Sequence, residues 1–109
     1  MSDRVEYWVE TAEYDLETAR AMLQTKRYLY VGFICHLVIE KMLKACYADA
    51  GRGIPPKIHN LRKLATMTGI YDRMSSEQRD FIDRLEPLNI EARYPAHKEA
   101  VAASLNENV

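Results

Sequence analysis

The stretch RYLYVGFICHLVIEKMLKACYADA, residues 27–50, decides the fold of this chain. The whole chain has only four glycines and four prolines, so long uninterrupted helices are allowed. At about 100° per residue, the apolar side chains of this stretch occupy two nearly opposite sides of a helix. One side holds Tyr30, Phe33, Ile34 and Leu37, and the other holds Val31, Cys35, Ile39, Met42 and Cys46. Such a helix requires cover on both sides, which we expect from the rest of a helical bundle and from a second copy in a homodimer.

The residues before this stretch are predicted to form its partner in a helical hairpin. From Asp3 to about Gln24, apolar positions recur every three or four residues, which predicts one amphipathic helix. Its predicted inner face consists of Val5, Trp8, Val9, Ala12, Leu16, Ala19, Met22 and Leu23. A break at Thr25-Lys26 precedes the second helix, so we expect the two helices to lie antiparallel.

Shorter helices are predicted after residue 50. Gly51 and the prolines that follow it end the second helix. A third helix is predicted from Asn60 to about Thr68, with His59 or Asn60 as its N-cap and Gly69 as its stop.

The remainder of the chain continues this helical pattern. A capping-box pattern at Ser75 and Gln78 predicts the start of a fourth helix. The predicted inner face of that helix consists of Phe81, Ile82 and Leu85. Pro87 interrupts it, and residues 89–92 are predicted to form a further turn. Pro95 fits the first position of a last helix, which we expect to be truncated or loosely held because apolar residues run out at its end.

Together these elements predict the fold class. The chain is expected to be all-α, an up-and-down helical bundle of four to five helices in which the first two form a long antiparallel hairpin. The length predicts a single domain over residues 1–109.

Composition narrows the function classes. Hydrophobic residues make up 48% and charged residues 28%, which is typical of a globular protein and too apolar for disorder. The net charge of −1 provides no global positive field, so contact with nucleic acid would need a local basic patch. We expect neither a signal peptide nor a membrane span. Cys35 and Cys46 would lie about 16 Å apart along one helix, which predicts reduced thiols and a cytoplasmic location.

A polar stripe interrupts the apolar surface of the second helix. His36, Glu40 and Lys44 follow one another at four-residue spacing and therefore share a face. We interpret the stripe first as a solvated or dimer-rim face with a simple Glu40–Lys44 ion pair. In the alternative interpretation, these groups face a cleft shared with the region around Arg93.

Arg93 and His97 are candidates for ribonuclease chemistry. A neutral imidazole can remove a 2′-hydroxyl proton or return one to the leaving oxygen, while a guanidinium stabilises the charge of the phosphorane. The alternative is a capping and surface pair. His59 is interpreted as a loop or N-cap residue. Because the chain has no phosphate-binding glycine loop, zinc-ligand spacing or nucleophile elbow, we expect no metal and no cofactor.

Several short motifs resemble the HEPN family of higher-eukaryote and prokaryote nucleotide-binding domains. The resemblance covers nearly the whole chain in the right order, and its most specific parts are an E-K-x-L-K-A core, an H-[DN]-L motif and a late R-Y-P. The matching residues are Trp8…Ala12…Asp15-Leu16…Ala19, Tyr28…Val31-Gly32-Phe33, Glu40-Lys41-Met42-Leu43-Lys44-Ala45, His59-Asn60-Leu61 and Ala92-Arg93-Tyr94-Pro95.

This resemblance implies a fold, partners and a site. The family is an up-and-down bundle that commonly dimerises, and many prokaryotic members are thought to be toxins paired with a minimal nucleotidyltransferase antitoxin. Catalytic members are metal-independent ribonucleases with an R-x4-6-H motif at a site formed across the dimer. Arg93 matches the arginine, and His97, with three residues between, is the candidate histidine. Tyr94 is carried over as a binding residue.

The signature of the second helix adds three more candidate binding residues, His36, Glu40 and Lys44. Two functions of different classes stay open at this point. The first is a toxin-type ribonuclease that acts on RNA. The second is a non-catalytic HEPN module that binds a nucleotide or a partner protein.

Overall fold

The structure, a computed structural model, describes residues 3–91 and the side chains of residues 3–89. Within this range the chain is helical. The helices are α1 (Asp3–Gln24), α2 (Tyr28–Asp49), α3 (Leu61–Met67), α4 (Ser76–Leu85) and α5 (Leu88–Glu91), with a 3-10 turn at Tyr71–Arg73. The all-α hairpin-and-bundle prediction is confirmed, whereas the predicted last helix from Pro95 lies outside the described residues.

The helix boundaries follow from local capping chemistry. Asn60, and not His59, is the N-cap of α3, because its side chain accepts a hydrogen bond from the Lys63 backbone N–H at 2.9 Å. The predicted capping box of α4 is present in both directions between Ser75 and Gln78. At the C-terminal end of α3, Gly69 adopts the left-handed conformation (φ 78°) that ends a helix.

The α1–α2 connection is a tight reversal. Lys26 adopts a left-handed backbone (φ 60°), which is uncommon for a residue other than glycine. The Lys26 N–H bonds to the Leu23 carbonyl and the Arg27 N–H bonds to the Met22 carbonyl, at 3.1 and 2.8 Å. These two bonds satisfy carbonyl groups at the end of α1 and turn the chain directly into α2.

Helix α2 is the centre of the described bundle. Helix α1 packs along one side of it, and α3, α4 and α5 pack on the other. The apolar core lies on this second side and consists of Leu43, Leu61, Leu64, Ala65, Ile82, Leu85 and Leu88. Helix α2 therefore has neighbours on two sides within the chain, but the apolar residues predicted for those sides are only partly covered. Tyr30 and Met42 are 38% and 40% exposed, and cover by a second copy stays a prediction.

The buried faces of α1 and α4 are narrower than the sequence predicted. Val5, Ala12 and Ala19 of α1 are buried, but Leu16 and Leu23 are each 37% exposed. One helix contacts another along a narrow line, so a residue at the edge of an apolar stripe stays partly in water. Phe81 of α4 is likewise 38% exposed, while Ile82 beside it is buried.

Candidate functional site

The polar stripe of α2 lies inside the protein. Exposure is 0% for His36, 4% for Glu40 and 6% for Lys44. The first interpretation, a solvated or dimer-rim stripe, was therefore wrong. The loop before α3, the end of α4 and helix α1 supply polar and aromatic partners for this face, so it is enclosed within one chain.

Glu40 is the centre of this site, which we call the Glu40 cluster (His36, Glu40, Lys44, His59 and Glu86). Its carboxylate accepts a hydrogen bond from Lys44 Nζ at 3.1 Å. It also accepts from Nδ1 of His59, at 3.0 Å to Oε2 and 3.1 Å to Oε1. A carboxylate buried in this way is stable because its charge is paired and its oxygens are hydrogen-bonded.

His36 connects the cluster to the end of α4. Its Nε2 lies 2.8 Å from Oε2 of Glu86, and since a carboxylate only accepts, the imidazole donates. The other oxygen of Glu86 accepts the Leu61 backbone N–H at 2.8 Å. Glu86 therefore ties α2 to the first residue of α3 at the point where α4 ends.

The cluster contains two carboxylates and one ammonium group, with two imidazoles between them. Lys44 also lies 5.5 Å from the centre of the Trp8 ring, so α1 contributes a cation–π contact. Removing either member of a buried ion pair leaves an uncompensated charge, which is far more costly than losing an exposed pair. The cluster is therefore a set of mutually dependent groups.

The sequence-predicted site residues divide into two groups. The structure brings His36, Glu40 and Lys44 together in the cluster. Arg93, Tyr94 and His97 lie outside the described residues. The described segment nearest to Arg93 in sequence is α5, where Leu88 and Asn89 are buried at 7% and 8% exposure.

Two members of the cluster were missed by sequence reasoning. His59 belongs to the H-[DN]-L motif, so its place in the family signature was a usable signal for a role beyond capping. Glu86 is separated from His36 by 50 positions, and no local pattern connects them. Only packing of α4 against α2 brings that pair together.

A second feature of the surface is an apolar groove of about 510 Å³ between α2, α3 and α4. Its wall from α2 includes Ile39, Met42 and Cys46, and its wall from α4 includes Phe81. Met42 and Phe81 are 40% and 38% exposed, which places apolar area in contact with water. Burial raises the pKa of the Cys46 thiol, and the nearby Asp49 carboxylate raises it further.

Comparison with known proteins identifies the family. The HEPN domain model matches residues 5–108, almost the full length of the chain. The chain belongs to the HEPN family. No curated protein and no solved structure gives a significant match. Within residues 3–91, no helix of this HEPN protein is long and apolar enough to cross a membrane.

Proposed function

We propose that this HEPN protein is the toxin-type partner of a minimal nucleotidyltransferase antitoxin and cleaves RNA without a metal ion. The observation that carries the proposal is the family match over residues 5–108, which includes the Arg93-Tyr94-Pro95 segment. In the resemblance described above, that arginine is the one used by catalytic members. The proposal therefore depends on Arg93 more than on any other residue.

Each candidate residue has a role in this proposal. Arg93 stabilises the negative charge of the phosphorane, and His97 exchanges a proton with a ribose or leaving-group oxygen. Tyr94 contacts the RNA. His36, Glu40 and Lys44 act as positioning residues, because their burial leaves them little surface with which to contact a ligand directly.

The proposed active form is a homodimer. Support comes from the groove wall formed by Met42 and Phe81, since partly exposed apolar side chains gain stability when a second copy covers them. We expect Phe81→Glu to shift the protein toward the monomer in analytical ultracentrifugation. A Phe81→Glu variant that dimerises over the same concentration range as the wild-type protein would exclude the groove as the dimer surface.

The proposed function is tested by growth and by direct cleavage. Expression of the wild-type chain alone should slow growth, and co-expression of the nucleotidyltransferase should relieve the effect. Purified protein should cleave single-stranded RNA in the presence of a metal chelator, and Arg93→Ala should abolish this activity. Arg84→Ala is the matched control, because Arg84 is exposed on α4 and lies outside the Glu40 cluster. Intact RNA after incubation with the wild-type protein would refute catalysis.

One observation favours a second function. Three residues separate Arg93 from His97, which is shorter than the R-x4-6-H motif of catalytic members. The alternative proposal is a non-catalytic HEPN module that binds a nucleotide or the partner protein. It predicts saturable binding of ATP or of the nucleotidyltransferase in calorimetry by a protein that leaves RNA intact.

A further inference from the structure

The segment from the end of α2 through α3 has an unusual charge for this chain. The protein as a whole carries a net charge of −1, yet residues 50–71 contain four Lys and Arg side chains and no Asp or Glu. All four of these basic residues are exposed: Arg52, Lys57, Arg62 and Lys63. This segment has the locally positive charge that contact with a polyanion would need.

Two of these cations are free to meet an anionic ligand. Arg62 pairs with Asp83 at 3.2 Å, and Arg52 bonds to the carbonyl of Met67. Lys57 and Lys63 make no ion pair within the described part of the chain. Their ammonium groups therefore remain available for phosphate oxygens.

His59 lies between these two lysines in sequence and has a defined orientation. Its Nδ1 faces the Glu40 carboxylate at 3.0 and 3.1 Å, and because a carboxylate only accepts, Nδ1 carries the proton. With one proton on the ring, the lone pair is then on Nε2. The side chain is 56% exposed, so the imidazole is held at its inner nitrogen and open to solvent at its outer side.

The contact between His59 and Glu40 does more than neutralise the Glu40 carboxylate. The Glu40 carboxylate already has the Lys44 ammonium at 3.1 Å and is itself only 5% exposed. A half-exposed imidazole contributes little further stability to such a pair. A buried carboxylate does, however, fix the tautomer and the orientation of an exposed imidazole, which is the arrangement used to prepare a histidine for proton transfer.

We infer that His59 is the proton acceptor for RNA cleavage in this protein, with Glu40 as its positioning residue and with Lys57 and Lys63 as phosphate contacts. The inference rests on the proposed ribonuclease function. His59 Nε2 takes the proton of a ribose 2′-hydroxyl, and the 2′-oxygen forms a bond to phosphorus. The bond from phosphorus to the 5′-oxygen breaks, and that oxygen takes a proton from His97, the proton donor of the proposed function. The proton on His59 then passes to water, and water returns one proton to His97. The products are a 2′,3′-cyclic phosphate end and a 5′-hydroxyl end.

His59→Asn is the decisive variant. The asparagine amide can still donate a hydrogen bond to Glu40, so the fold is retained, but it cannot accept a proton. In single-turnover cleavage of a labelled single-stranded RNA, the rate should fall by about 100-fold to 10,000-fold, with RNA affinity unchanged. The same RNA with deoxyribose at the cleavage position should resist the wild-type protein.

Nuclear magnetic resonance of the full chain provides a readout that does not depend on cleavage. The ¹⁵N shifts of His59 should show a protonated Nδ1 and an unprotonated Nε2. Glu40→Leu/Lys44→Met, which removes the acceptor together with its ammonium partner, should remove this preference. A His59 ring with the proton on Nε2 in the wild-type protein would overturn the inference.

The outcomes separate this inference from the proposed function. If the wild-type protein cleaves RNA and His59→Asn does so within about threefold of it, the role of His59 is refuted and the ribonuclease function stands. If the wild-type protein cleaves no RNA, the ribonuclease function fails and the catalytic role of His59 fails with it.

The phosphate contacts have their own test. The double variant Lys57→Gln/Lys63→Gln should weaken RNA binding and reduce the slope of log affinity against log salt by about 1.4. Lys26→Gln is the matched control, because Lys26 is an exposed lysine in the α1–α2 connection. Equal slopes for the double variant and the control would exclude the two lysines from the RNA contact.

Discussion

The apolar core and the Glu40 cluster lie against the same helix, but they contribute to stability by different physical means. In the core, Leu61 and Leu64 are fully buried and contribute by filling volume. In the cluster, Glu40 and Lys44 are almost as deeply buried, but each is tolerated only because the other is present. Depth of burial alone therefore does not describe what a residue does in this protein.

This difference explains how α2 can support both the apolar core and the candidate site. An apolar contact can be loosened by degrees, because neighbouring side chains relax into the space left by a smaller one. A buried ion pair cannot be weakened by degrees in this way. When one partner is lost, the other charge stays buried with nothing to compensate for its lost hydration. The Glu40 cluster consequently imposes one arrangement on the loop that carries His59.

The largest expected effect comes from a substitution that removes the Glu40–Lys44 ion pair. Lys44→Met leaves Glu40 without its ammonium partner in a buried position, so the free energy of unfolding should fall by about 4 kcal/mol. Urea unfolding followed by circular dichroism measures this change. The double variant Glu40→Gln/Lys44→Met should recover part of the loss because no unpaired charge remains. A loss below about 1 kcal/mol for the single variant would show that Glu40 is solvated in solution.

A cavity in the apolar core should cost somewhat less. Leu64 is 0% exposed, and Leu64→Ala should reduce the free energy of unfolding by about 3 kcal/mol through lost transfer energy and an unfilled cavity. Leu23→Ala in α1 is the control, because Leu23 is 37% exposed and should cost below about 1 kcal/mol. Equal losses for these two variants would contradict the assigned position of the core.

A neighbouring lysine sharpens the comparison within α2. Lys41 pairs with Asp15 of α1 at 2.5 Å, and the two side chains are 19% and 14% exposed. Because these side chains are less deeply buried than Glu40 and Lys44, water screens their charges more, and Lys41→Met should cost about 2 kcal/mol, below the cost of Lys44→Met. The same urea titration at high salt should reduce the Lys41 effect by a larger fraction than the Lys44 effect. A larger loss for Lys41 than for Lys44 would reverse the assignment of the two lysines.

The smallest effect concerns the two thiols on the apolar sides of α2. Burial raises the pKa of both Cys35 and Cys46, so less thiolate is present in the folded protein at a given pH. Alkylation by iodoacetamide, followed by intact mass, should therefore be slower in the folded protein than in concentrated urea. Since the folded state keeps the thiols protonated to higher pH, stability should decrease slightly as pH rises through the ordinary thiol pKa. Equal rates in both states would show that neither thiol is protected.

Much of the fold was predictable from sequence because helix boundaries depend on neighbouring residues. The capping box of Ser75 and Gln78 and the left-handed Gly69 each act over a few positions, and both were found where the pattern placed them. Asn60 was one of two candidates for the α3 cap, and side-chain geometry selected it. The family was recognisable for the same reason, since its signature is a series of short motifs.

The candidate site was only half predictable. Four-residue spacing placed His36, Glu40 and Lys44 on one face of a helix, whichever way that face points. Spacing within one helix contains no information about what covers it, so the preferred interpretation as a solvated stripe was reasonable and wrong. The residues of the stripe are the same whether another part of the chain covers that face or leaves it in water.

The sequence by itself determined the helices, their order and the family, because periodicity and caps are properties of adjacent residues. The tertiary structure decided that the polar stripe is buried, that Glu86 reaches His36, and that His59 is held by Glu40. These contacts join residues 19 and 50 positions apart, and they exist only when α3 and α4 pack against α2. Long-range packing sets the local dielectric and the hydrogen-bond partners, and it therefore turns a pattern of polar residues into a site.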